Sequence, residues 1–135
     1  MNRLTALMIS TLLLAPLAQA DTRQPVSLEA RQQAFVLDHM KSMLETIGAI
    51  QADLAQGKPQ QVAQRVQQLK QHESDTKPQR LGRALPAGFR SMSKAMNQHW
   101  QVLLQPSQDD KKIQQQLHLL LNQCNACHRS YRLER

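Results

Sequence analysis

Cys124, Cys127 and His128 stand together in the segment "CNACHRSYR", and those two cysteines are the only ones in a chain of 135 residues. Positions three apart on a helix face the same way. Two thiols so placed can bond to neighbouring points of one flat molecule. The two vinyl groups of a haem are such points, and thiol addition to each gives a thioether. The imidazole of His128, directly behind the second thiol, can then reach the iron from the same side. C-x-x-C-H is the attachment signal for c-type haem, and histidine is a common proximal ligand of haem iron. The expected cofactor is therefore one covalent haem c with its iron, held by Cys124, Cys127 and His128.

Three other chemistries use a close pair of cysteines. A thiol–disulfide redox pair needs a lowered thiol pKa, which a helix N-terminus supplies. This pair lies near the C-terminal end of the sequence. A structural zinc site needs four ligands, and no second cluster of Cys and His follows or precedes this one. A disulfide between residues so close would restrain little of the unfolded chain.

The elements that must present these residues are helices. Arg31 to Gln56 has few breakers. Leu37, Met40, Leu44, Ile47 and Leu54 fall at helical spacing there, flanked by Phe35, Val36, Met43 and Ile50. Ser27 can cap this helix, and Gly57 can end it in a left-handed conformation. Pro59 suits a second helix start, and Val62, Val66 and Leu69 mark its stripe. Lys77 to Gly88, with two prolines and two glycines, reads as the longest connection. Phe89, Met92, Met96, His99, Trp100 and Leu103 line a third helix, which Pro106 breaks. Ser107 or Asp109 can cap the fourth. On that helix Ile113, Leu117, Leu120, Cys124, Cys127 and Tyr131 step by three and four, which puts both cysteines on the inward stripe. Four amphipathic helices with mostly short links predict an all-α fold, an antiparallel four-helix bundle.

The chain's start reads as an address. Residues 1–20 combine Arg3, the apolar run "LTALMISTLLLAPLA" and the small residues Ala18 and Ala20, which is the pattern of a secretory signal peptide. The run is too short for a membrane span and Pro16 interrupts it. Cleavage would leave residues 21–135 as one domain without a membrane span, exported to the periplasm. Asp21 to Val26 reads as a loose lead into the first helix. The full chain has a net charge of +7, of which Arg3 is the leader's only part. The cations are dispersed, with short clusters at Arg80/Arg83 and Arg129/Arg132/Arg135, so a solvated basic surface is expected rather than nucleic-acid binding. Aromatic residues are few (Phe35, Phe89, Trp100 and Tyr131), which leaves room in the core for a large flat group from outside.

The motif "CNACHRSYR", together with "HMKSML" and "AQGKP", resembles the class II c-type cytochromes, the cytochrome c-prime group and its low-spin relatives. The resemblance covers most of residues 21–135, and its specific part is the C-terminal motif. It implies an exported four-helix bundle with haem on the last helix. It implies that a sixth iron ligand comes from the first helix. Low-spin members use a methionine there, and "HMK" aligns Met40 with it; Met43, one turn on, is a second candidate. Five-coordinate members leave that side open to small gases. Arg132 follows the family's trailing aromatic–basic pair, and with Arg31 it is a candidate for contact with the haem propionates. Family members often pair as homodimers.

The function expected from this reading is transfer of single electrons. Met/His ligation raises the reduction potential, and the basic surface suits a redox partner protein with an acidic docking surface. The alternative is a five-coordinate NO- or CO-binding protein. No acid–base pair or nucleophile stands near the motif, so no enzyme activity is expected.

Overall fold

The structure is a computed structural model that describes residues 21–106 and 109–134. The leader, Ser107 and Arg135 lie outside the described residues, as do the expectations that fall on them. Strand β1 (Gln24–Val26) precedes helix α1 (Ala30–Ala55). A 3-10 turn (Pro59–Gln61) leads into α2 (Val62–Thr76), followed by the one-turn α3 (Leu81–Ala84), α4 (Ala87–Leu103), α5 (Asp110–Ser130) and strand β2 (Tyr131–Leu133). The fold is all-α, with one short two-stranded ladder.

Local chemistry explains the boundaries. Gly57 closes α1 with φ 68°, the left-handed conformation that costs glycine nothing. Its N–H bonds to the Leu54 carbonyl at 2.9 Å, and Lys58 N–H to the Asp53 carbonyl at 2.8 Å. The expected cap of α1, Ser27, does not take that role. Glu29 is the capping residue, its N–H donating to Gln32 Oε1 at 3.3 Å, while the Ser27 hydroxyl bonds to Glu134. At α5 the Asp109 carboxylate accepts from Lys112 N–H at 2.8 Å, a sound N-cap. Arg90 ties the α3–α4 link down by donating to the carbonyls of Leu85 (2.6 Å) and Gly82 (3.3 Å).

The α1–α2 and α4–α5 pairs run antiparallel. His72 meets Asp38 at 2.8 Å near one end of the α1–α2 pair, and Arg65 grips Asp53 in a fork, at 2.8 and 3.2 Å, near the other. Lys70 reaches Asn97 at 2.7 Å between α2 and α4. His99 reaches Gln116 at 2.9 Å between α4 and α5. The main core draws Met43, Ile47, Ile50 and Leu54 from α1, Val62, Val66 and Leu69 from α2, Trp100 and Leu103 from α4, and Ile113, Leu117 and Leu120 from α5. These side chains, aliphatic but for Met43 and Trp100, form one buried cluster.

Two expectations are corrected here. The lead Asp21 to Val26 is not loose. Gln24, Pro25 and Val26 pair in parallel with Tyr131, Arg132 and Leu133, and Glu134 N–H donates to the Val26 carbonyl at 3.1 Å. The apolar face of α1 is also rotated from the expected stripe. Val36, Met43, Ile47, Ile50 and Leu54 are buried, whereas Leu37 is 53% and Leu44 64% exposed.

Candidate haem-attachment site

Cys124 and Cys127 occupy the last two turns of α5, on the side that continues from Leu117 and Leu120. Burial fades along that stripe. Ile113, Leu117 and Leu120 are buried, while Cys124, Cys127 and Tyr131 are half-buried and His128 is exposed. The two thiols are free, not joined in a disulfide. Burial pushes both thiols above their ordinary pKa, and at Cys127 the neighbouring Cys124 adds to this. A redox-active pair needs the opposite shift, toward thiolate. The protonated, same-side, unjoined thiols suit addition to an external partner.

Around the cysteines the packing thins. Met92 and Met96 on α4 and Met40 on α1 are among the half-buried residues of the neighbouring helices. The contact of His99 with Gln116 and the edge-to-face contact of Phe89 with Tyr131, ring centres 5.4 Å apart, set the register of α4 against α5. That register brings Met92 and Met96 opposite the cysteine turns. Met40 and Met96, with Leu121, pack on the margin of the main core. Phe89 and Val26 are buried outside that core. Half-buried side chains thus lie between the main core and the buried Phe89 and Val26.

Helix geometry shows which flank of α1 borders these side chains. The other flank is taken by α2, through Asp38 and Asp53. Gln33, Leu37, Met40 and Leu44 follow at steps of four, three and four, so they share a flank. Gln33 donates to the Glu134 carbonyl at 3.1 Å, just beyond α5, so this flank turns toward the C-terminal end of α5. On α5, Leu121, Cys124 and His128 share a flank by the same spacing, away from the side that Gln116 gives to α4. Two large apolar side chains of α1, Leu37 and Leu44, therefore stand open beside Met40 on the flank turned toward the cysteine helix. A flat apolar ring bonded to Cys124 and Cys127 would cover such a surface.

The other sequence candidates fall as follows. Met43 is a core residue, 7% exposed. His39 faces α2 rather than the cysteines: it stacks on Phe35 with ring centres 5.6 Å apart, and charges on Glu73, Lys77, His72 and Lys70 reach it. Trp100 is buried within the main core. His118, for which the sequence offers no partner, bonds to Asn122 at 3.1 Å. Arg132 lies on β2, its Nε 3.7 Å from the Asp21 carboxylate. Arg31 is exposed in the first turn of α1. Asp21 and Arg23 were not singled out by sequence. Arg23 forks onto Asp21 through Nε at 2.9 Å and Nη2 at 2.7 Å, and its Nη1 donates to the His128 carbonyl at 3.3 Å. No periodicity marks such a contact, which joins residues from opposite ends of the described chain.

Two surface grooves lie away from the cysteines. One of about 290 Å³ runs between α1 and α2 beside Ser42, Thr46, Arg65 and His72, and one of about 230 Å³ lies near Pro59, Leu103 and Ile113. Among the described residues, no three His, Cys, Asp or Glu side chains form a metal cluster. A porphyrin iron asks for only one or two side-chain ligands. Among the described residues no helix is long and apolar enough to cross a membrane.

No family model matches the chain, and neither does any curated protein or solved structure. The resemblance to the class II c-type cytochromes therefore stands on the motif residues and their setting.

Proposed function

We propose that the protein is an exported c-type cytochrome of the class II kind: an antiparallel four-helix bundle that carries one covalent haem c on α5 and passes single electrons in the periplasm. Thioethers from Cys124 and Cys127 hold the haem, His128 ligates the iron, and Met40 is the distal ligand. The observation that carries this reading is the pair of same-side, half-buried thiols at the end of α5, with half-buried Met40, Met92 and Met96 on the neighbouring helices and Leu37 and Leu44 exposed on the flank of Met40. That is where the C-x-x-C-H motif calls for a flat apolar cofactor.

Bound haem supplies a one-electron couple. The chain's own part is to fix the ring by two bonds, to hold the imidazole of His128 on one side, and to exclude water with methionine and leucine side chains. Arg31 and Arg132 are the cations for the propionates; Arg132 would then exchange its long contact with Asp21 for a carboxylate of the haem. The basic surface favours encounter with an acidic redox partner, at a rate that falls with salt.

The test is a visible absorption spectrum of the exported protein, oxidised, reduced, and reduced under CO. A low-spin spectrum barely altered by CO is expected. A high-spin spectrum that shifts under CO would replace Met40 ligation and electron transfer with gas binding. A colourless protein from a host able to attach haem would overturn the haem reading itself.

A further inference from the structure

We infer that residues 21–26 are a positioning segment for His128, holding the last turn of α5, and with it the proximal imidazole, through the β1–β2 ladder and Arg23. The inference rests on the reading of Cys124, Cys127 and His128 as the haem site. It goes beyond that reading, because nothing in a C-x-x-C-H motif asks for a strand from the other end of the chain.

His128 stands in the final turn of α5, which ends at Ser130. The last turn of any helix has carbonyls without intrahelical partners, and it frays first. A ligand that must hold one geometry is poorly served by such a turn unless other groups fix it. Here the terminal carbonyls are taken up in sequence. Ala126 accepts from the Ser130 hydroxyl at 3.0 Å. Cys127 accepts from Tyr131 N–H. His128 accepts from Arg23 Nη1 at 3.3 Å. The partner of the His128 carbonyl thus comes from outside the helix, 105 residues away in sequence.

Arg23 is itself held. Asp21 accepts from its Nε, its Nη2 and its backbone N–H, the last at 3.1 Å. Directly after the helix, Tyr131, Arg132 and Leu133 are locked to Gln24, Pro25 and Val26. Val26 is buried, and Glu134 is bonded on both sides, to Val26 and to Gln33 of α1. Gln33 shares its flank with Met40. The same tail is therefore tied to both the helix that carries the proximal histidine and the helix that carries the distal candidate. Because Asp21 balances the charge of Arg23, the effect of this segment on the iron is one of geometry more than of field.

The experiment uses the haem-loaded protein in a Met40→Ala background, so that the reduced iron has His128 as its axial side chain. Arg23→Ala, Arg23→Lys and Val26→Gly are compared with the parent by resonance Raman spectroscopy of the iron–histidine stretch. Amide hydrogen exchange of residues 131–133 is followed alongside. Arg23 is a surface side chain, so Arg23→Ala keeps the helical fold. The expected result is a lowered and broadened iron–histidine band for Arg23→Ala and Val26→Gly, partial recovery in Arg23→Lys, and roughly tenfold faster exchange of the tail, as loss of about one hydrogen bond implies. A covalently loaded set in which the band stays at the parent position would overturn the positioning role and leave the haem reading intact. A parent without covalent haem, seen as no haem stain after denaturing electrophoresis, would overturn both.

Discussion

Met40 and Met43 lie one turn apart on α1, and the structure gives them different surroundings. Met43 is enclosed by core side chains, while Met40 is half-buried on the flank that turns toward the end of α5. A thioether with neighbours on all sides is core filling; one at an open margin is free to take a ligand's place. Met40→Ala is therefore expected to turn a low-spin spectrum high-spin and CO-sensitive with little loss of stability. Met43→Ala should leave the spectrum unchanged and cost about 2–5 kcal/mol in denaturant unfolding, the usual range for truncating a buried methionine. The reverse pattern would exchange their roles. At this scale the sequence was most informative where chemistry is local. The same-side placement of Cys124 and Cys127 follows from their spacing alone. It could not show Arg23 at the His128 carbonyl, because that contact depends on how two distant segments fold together.

The first helix was legible nearly to the residue, since the stretch expected as Arg31 to Gln56 is Ala30–Ala55, and Gly57, Pro59 and Asp109 sit at the turns their backbones favour; the one-turn α3 falls in the stretch read as a connection, and Tyr131, read on the last helix's stripe, stands on β2. Which part of the apolar arc on α1 meets protein was not legible. The rows Leu37–Met40–Leu44 and Val36–Met43–Ile47 both obey the helical period, and only packing decides between them. The strands were invisible for another reason: three residues with a proline in one of them give no alternation to read. His39 shows how helix contact sets a titration. Its place against α2 buries the ring, leaves Nδ1 without a partner, and holds its pKa below the ordinary 6.5. Desolvation is the main cause. Lys77, His72 and Lys70 add to it, and Glu73 opposes it. As pH falls below about 6.5 the unfolded chain takes up a proton at this position while the folded one stays neutral. Stability should therefore decline from that point down through the folded pKa and then level off. Melting temperatures of the parent and of His39→Gln between pH 7.5 and pH 5, as roughly chosen limits around that window, should diverge in slope, with the variant flatter. Parallel slopes would remove His39 as a source of acid sensitivity.

For the whole molecule, the half-buried side chains around the cysteines and the exposed Leu37 and Leu44 predict dependence on the proposed cofactor. A covalently attached haem stays on the unfolded chain, so it stabilises the native state through the apolar surface it covers only there, about 4 kcal/mol for roughly 160 Å². In a domain of this size that is roughly 10 °C or more in melting temperature. Cys124→Ala/Cys127→Ala, freed of haem, should lose at least that much and unfold over a broader range by circular dichroism. Cooperative melting at the parent temperature would show that Met40, Met92 and Met96 pack unaided. The parallel ladder between Gln24–Val26 and Tyr131–Leu133 also bears on how the gene could be rearranged. Because the strands are parallel, residue 21 stands before the start of one and residue 134 past the end of the other, so a circular permutant needs a crossover linker of about a dozen residues between them, with new ends opened between α4 and α5 near Pro106. Such a circular permutant would keep every helix intact and place the C-x-x-C-H segment near the new N-terminus.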